Sequence, residues 1–108
     1  MTAKPVVPRA RARLDIEQAV DWYAREAGEQ VAVGFVDAVE RAWRAIAANP
    51  ALGSPLHAHE LNLPGLRTQR LRRYPYLVFY IDRGDHVDIW RVLHAQRDIP
   101  ASMQEGEG

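Results

Sequence analysis

The chain has 108 residues, 14 basic and 14 acidic side chains, a net charge of zero and no cysteine. That length holds one domain with one core, and a hydrophobic share of 47% excludes a natively disordered chain. Without cysteine there are no disulfides and no thiolate metal sites.

The neutral total conceals a gradient. Met1 to Arg13 holds four cations (Lys4, Arg9, Arg11, Arg13) and no acid, and Leu14 to Pro50 holds seven acids against three arginines. Gly65 to Arg97 reverses the sign, with seven arginines against Asp82, Asp85 and Asp88. Such segregation bears on surface fields and partners rather than on fold. It has two readings: charges scattered for solubility, or a basic half that meets something acidic. The N-terminus has no apolar leader and no run nears the roughly 20 apolar residues of a membrane span, so a cytoplasmic location is expected.

Val6-Val7, flanked by Pro5 and Pro8, predicts a short edge strand. From about Asp15, Ile16, Val20, Tyr23 and Ala27 recur at helical spacing. Asp15, Glu17 and Asp21 then lie where a helix dipole favours anions, and Gly28 offers the stop. A second helix is predicted from about Glu29 to Ala48. Its stripe is Ala32, Val36, Val39, Trp43 and Ile46, widened by Phe35, Ala38 and Ala42, and Asn49-Pro50 ends it. Two helices joined so closely form an antiparallel hairpin.

Residues 51–65, with Gly53, Pro55, Pro64 and Gly65, predict a surface loop. Three strands follow. Leu66 to Arg72 is arginine-rich, and Tyr76 to Ile81 is apolar on both faces, as a central strand is. After a hairpin loop at Asp82–Asp85 comes His86 to His94. On this last strand, simple alternation groups Val87, Ile89 and Leu93 with Arg91, and Asp88, Trp90 and Val92 with His94. One face would meet the helices and the other, in part, a partner. The polar tail, 101–108, is expected to fray. The order is β-α-α-β-β-β, an α+β fold in which a helical hairpin packs on a small antiparallel sheet, one domain over residues 1–100.

Several fragments suggest chemistry. His57-Ala58-His59-Glu60 lacks the third ligand and rigid spacing that zinc needs, so two loop histidines are the better account and no metal is expected. Arg83-Gly84-Asp85 spells an adhesion tripeptide but reads as a strand turn. Trp22 falls off the apolar stripe of its helix, and is either a hairpin contact or part of an exposed patch for a partner helix. Arg67, Arg70, Arg72 and Arg73, with Arg91 and Arg97, could converge on one sheet face, since guanidinium groups hold phosphates or carboxylates bidentately. A nuclease built on them would use His94 as acid or base, with Tyr80 a weak second. The alternative is that edge arginines block sheet aggregation and pair with the acidic helices.

Taken together, Arg11-Ala12-Arg13-Leu14-Asp15-Ile16-Glu17 leading to Trp22-Tyr23, Asn49-Pro50-Ala51-Leu52-Gly53-Ser54-Pro55, Leu63-Pro64-Gly65-Leu66-Arg67, Tyr76-Leu77-Val78-Phe79-Tyr80, and Trp90-Arg91-Val92-Leu93-His94 with Arg97-Asp98-Ile99-Pro100 resemble the RelE/ParE family. These are toxins of bacterial type II toxin–antitoxin modules. The resemblance spans about Arg9 to Pro100 and implies the same element order. RelE-like members cleave mRNA on the ribosome, whereas ParE-like members inhibit DNA gyrase. No tyrosine follows Tyr80, so the C-terminal tyrosine of many RelE-like nucleases is missing, and the long alanine-rich second helix looks more like the ParE branch.

The resemblance thus implies a gyrase inhibitor without a cofactor, neutralised by a ParD-like antitoxin. That partner would be a ribbon-helix-helix protein with a wrapping C-terminal segment, in a hetero-oligomer with the toxin. Arg70, Arg72, His94 and Arg97 are then candidates for target binding, and Trp22, Trp43, Arg67 and Arg91 for antitoxin binding. The alternative, a ribosome-dependent endoribonuclease, would use Arg72, Arg91, His94 and Arg97.

Overall fold

In the computed structural model, which describes residues 3–97 and 99–105, a helical hairpin lies across one face of a four-stranded sheet. Strand β1 (Val6–Pro8) leads into helix α1 (Ala10–Glu26), and α2 (Glu29–Ala48) returns antiparallel to it. A turn of 3-10 helix (Pro50–Leu52) and the short helix α3 (Leu56–Glu60) precede strands β2 (Leu66–Arg70), β3 (Tyr76–Asp82) and β4 (Val87–His94). Helix α4 (Ile99–Glu105) closes the described chain. The predicted hairpin and three-strand meander are both present.

Helix α1 starts five residues before the predicted Asp15, because Ala10 to Leu14 are all good helix formers and nothing interrupts them. Its first turn therefore holds no acid. Asp15 lies in the second turn and is buried, so it serves a partner rather than the dipole. The helix ends as predicted: the amides of Ala27 and Gly28 both donate to Tyr23 O, and Gly28 takes φ 98, which a side chain would oppose. On α2 the buried stripe centres on Phe35, Ala38, Ala42 and Ile46, while Trp43 packs at its edge, only partly buried.

The sheet order is β1-β4-β3-β2. The meander is antiparallel, but β1 joins β4 in parallel, with Val6 beside Val87 and Pro8 beside Ile89. The sheet is therefore mixed. A bulge sets Phe79 against Arg91 and Tyr80 against Ile89, leaving Trp90 as the extra residue on β4. This breaks the simple alternation predicted for that strand. Val87, Ile89 and Val92 face the helical hairpin, whereas Trp90 and Leu93 face the opposite side with Leu66, Phe79 and Ile81.

That opposite face is covered by the chain itself. Ala58, Leu61 and Leu63 pack on it from the α3 region, and Ile99 and Met103 from α4. The sequence predicts a loop at 51–65 and a frayed tail from 101. The structure instead folds part of each segment into helix, because their few apolar residues have an uncovered sheet face to bury against. Burying a methionine or isoleucine there is worth about 1.5–3 kcal/mol, which offsets part of the entropy lost in ordering a short helix. Ser102 and Met103 are each 3% exposed, and residues 106–108 lie outside the described part.

At the turn end of β4, Arg9 and Arg83 enclose Asp88. Arg9 donates from Nε and Nη2 at 3.0 Å and lays its guanidinium 3.9 Å from the centre of the Trp90 ring. Arg83 adds two bonds at 3.2 Å. Burial alone would raise the Asp88 carboxyl, but the two guanidiniums outweigh it and hold it below the usual carboxylate range. A depressed carboxylate stabilises the fold above its unfolded pKa, near 3.9, and that stability is lost as pH falls through the folded value. Asp88→Asn should therefore be less stable than wild type at pH 7 and lose less on acidification, as urea titrations between pH 7 and pH 3 would read.

Candidate interaction groove

The sheet and α1 build a groove at the end where β3 begins and β4 finishes. Counting outward from the Asp82–Val87 pair, with one bulge, sets Tyr76 directly opposite His94. Their rings meet edge to face at 5.2 Å. Helix α1 supplies the wall, because Asp15, Gln18, Ala19 and Trp22 follow one another at helical spacing along the free edge of β4. Together with Tyr76, Val92, His94 and Arg97 they line a recess of about 200 Å³. A second recess of about 400 Å³ continues past Trp22, Tyr23, Pro75, Tyr76 and His94.

An aromatic cluster underlies this surface. Tyr23 stacks at 5.5 Å on Phe35, and Phe35 meets Tyr76 at 5.1 Å. Trp22 stands edge-on to Tyr23 at 5.2 Å and is 50% exposed. Of the two readings of Trp22, the structure therefore gives the exposed patch. A half-exposed tryptophan on a rigid aromatic base is the side chain most often found as an anchor between proteins.

The polar chemistry of the groove is that of a donor surface. The amide of Gln96 donates to His94 Nδ1 at 3.1 Å, so in the neutral imidazole the proton resides on Nε2. Burial raises the Tyr76 hydroxyl's pKa, the Arg97 charge works against it, and Asp15 adds to the rise, so the phenol stays protonated at neutral pH. Tyr76, His94 and Arg97 thus each offer an N–H or O–H, and His94 has its one acceptor nitrogen already engaged. That arrangement suits holding an acceptor-rich partner better than removing a proton from a substrate.

The inner wall is fixed by a buried ion pair. Asp15 accepts from Arg91 Nε at 2.7 Å and from Nη2 at 2.8 Å, and its Oδ2 also takes the Val92 amide at 3.0 Å. Beyond Pro8, β1 no longer covers β4, and Asp15 satisfies the edge donor that β1 leaves unpaired. Arg91 Nη1 donates to the Ser102 carbonyl, so one guanidinium links α1, β4 and α4.

The predicted site residues divide accordingly. His94, Arg97 and Trp22 meet in the groove, but Arg91 does not reach it: at 0% exposure it is held within the fold, where its bonds to α1 and α4 leave it no route to solvent. Arg67 donates to the carbonyls of Ala51 (3.2 Å) and Gly53 (2.7 Å), bracing the loop beyond β2. Trp43 belongs to the rim of the core. Arg70 and Arg72 are exposed but line neither recess of the groove.

Tyr80 is buried, its hydroxyl donating to Pro50 O and accepting from the Gly53 amide, both at 2.8 Å, so it serves structure and not chemistry. His57 engages Thr68 Oγ1 at 3.2 Å, and among the described residues no three metal-ligating side chains gather. Arg83 to Asp85 forms the predicted turn between β3 and β4. Tyr76 is the groove residue that the sequence reading missed. Its signal was the hairpin register, which pairs it with His94 once the bulge is counted.

A helical hairpin lies across a small mixed sheet, with an exposed aromatic and donor groups at one end, in an α+β fold. A solved structure described as a chromosomal ParDE TA system from P. aeruginosa shares this fold with a TM-score of 0.72, covering 87% of this chain and 98% of that one at 22% identity. No curated protein sequence matches the chain at a significant level. The model of the family described as the ParE toxin of the type II toxin-antitoxin system parDE matches residues 6–99. The chain belongs to that family and is a ParE-type toxin. Among the described residues no helix is long and apolar enough to cross a membrane.

Proposed function

We propose that this toxin acts in the cytoplasm by binding DNA gyrase and that a ParD-like antitoxin restrains it. The observation that carries this reading is the protonation pattern of the groove. With His94 Nδ1 occupied, the Tyr76 phenol protonated and Arg91 locked on Asp15, the groove is suited to recognition and presents no free base among its described residues. The family's description and the ParDE structure it resembles support an antitoxin partner. Its ribbon-helix-helix fold and wrapping segment are part of the same proposal. An acidic segment would meet the arginine-bearing half of the chain with complementary charge.

Purified toxin should inhibit gyrase supercoiling of relaxed plasmid, the antitoxin should reverse the effect, and translation in a cell extract should continue. Full supercoiling activity at a large molar excess of folded toxin would refute the proposal. One observation favours a second reading, ribosome-dependent mRNA cleavage: the structure does bring Tyr76, His94 and Arg97 together. That reading requires message cleavage in the extract that His94→Ala abolishes.

A further inference from the structure

A second concave surface lies on the far side of the hairpin, where the turn between β2 and β3 docks against α2. Gly34, Asp37, Ala38 and Arg41, one face of α2, close a cleft of about 150 Å³ with Arg72, Arg73 and Tyr74. The turn is seated firmly. Tyr74 Oη donates to Val31 O at 2.9 Å, and a Cβ on Gly34 would stand 2.4 Å from that hydroxyl, so only glycine permits the approach. The Tyr74 ring is wedged edge-on between Tyr23 (5.3 Å) and Phe35 (5.5 Å). Arg72 and Arg73 are therefore presented to Arg41 by an anchored turn rather than by a loose loop.

A shared cleft and one strained backbone set these arginines apart from Arg13, Arg25, Arg44 and Arg70, which likewise form no ion pair among the described residues. Arg9, Arg67, Arg83 and Arg91 are engaged by carboxylates or carbonyls. Arg41, Arg72 and Arg73 have no ion-pair partner among the described residues, although Asp37 shares their cleft. Arg73 also adopts a left-handed backbone, φ 68. That conformation disfavours any residue with a Cβ, and glycine would meet it without strain. A strained arginine beside two unneutralised ones is better explained by a ligand than by the fold.

We propose that this cleft binds a dianionic phosphate monoester through Arg41, Arg72 and Arg73. Three guanidiniums against the Asp37 carboxylate leave a net charge of +2. A phosphate monoester carries about −1.5 to −2 at neutral pH and three strong acceptor oxygens, matching both the charge and the crowd of donors; a carboxylate offers half the charge. The cleft is too small to enclose a nucleoside, so the phosphate enters and whatever bears it stays outside.

The test is a titration followed by amide NMR at pH 7.5 and constant ionic strength, with inorganic phosphate, adenosine monophosphate and adenosine as probes. Saturable shifts confined to residues 34–41 and 72–74 are expected with the first two and not with the third. Arg41→Ala and Arg72→Ala should each weaken binding by about tenfold or more, the usual effect of losing a charged hydrogen bond. Arg73→Gly should weaken it similarly while keeping or raising the melting temperature, which a purely structural arginine would not do. Affinity should also fall toward pH 5, where the ligand becomes a monoanion. Equal affinity for phosphate and the nucleotide would identify a free oxyanion as the ligand, and tighter nucleotide binding would identify a nucleotide. Absence of saturation, unchanged binding in the arginine variants, or shifts with adenosine matching those of its monophosphate would overturn the proposal.

Discussion

Asp15→Leu should cost the fold about 3–5 kcal/mol, because it strands the wholly buried Arg91 guanidinium without its counter-ion and leaves the Val92 amide unpaired. Few substitutions on the surface approach this size. Arg91→Met should also be damaging, since it buries a lone carboxylate and orphans the Ser102 carbonyl. The two losses should not add. An Asp15→Leu/Arg91→Met double variant removes both charges and should recover to within about 2 kcal/mol of wild type, with the remaining deficit set by the unpaired backbone groups. Urea unfolding of the four proteins completes the cycle. Simple additivity of the single losses would mean that the two side chains act independently, contrary to their geometry.

Trp22→Ala carries the second large effect, on binding rather than stability. A half-exposed indole resting on Tyr23 contributes little to the core, so the urea midpoint should hardly move. If the groove is the partner surface, removing its central anchor should weaken the antitoxin by about 2 kcal/mol or more, roughly thirtyfold. Trp43→Ala is the contrasting control: it lies at the core rim and should destabilise the fold more than it weakens the partner. Calorimetry with the purified antitoxin measures both. Equal antitoxin affinity for wild type and Trp22→Ala would remove this end of the groove from the interface.

The sequence showed most of the scaffold and only part of the site, for reasons that particular residues make plain. The hairpin was legible because its apolar residues recur at 3.6-residue spacing and because Gly28 and Asn49-Pro50 punctuate it. The meander was legible from the apolar run at Tyr76–Ile81 and the Gly84 turn. The bulge at Trp90 was not, since one extra residue on a strand apolar on both faces leaves no mark in the pattern, yet it turns Leu93 to the other face and places Arg91 in the interior. Asp15 misled for a related reason. An acid early in a helical stretch reads as a dipole partner, and its real partner stands 76 residues away. The α4 segment was read as tail because its composition is polar, while its burial depends on two residues, Ile99 and Met103, meeting a sheet face that exists only in three dimensions.

The distance between Asp15 and Arg91 also has a consequence in time. Helix α1 leaves the ribosome well before β4, and β1 too waits for β4, its neighbour in the sheet. A chain whose closing contacts join segments 76 residues apart cannot complete them until the later one is made, and it pays the entropy of closing that long loop before the contacts stabilise anything. The groove that would hold a partner is built largely from the same two segments, α1 and β4. A nascent chain therefore cannot complete this groove until β4 has been made, so whatever docks there can do so only after that strand emerges.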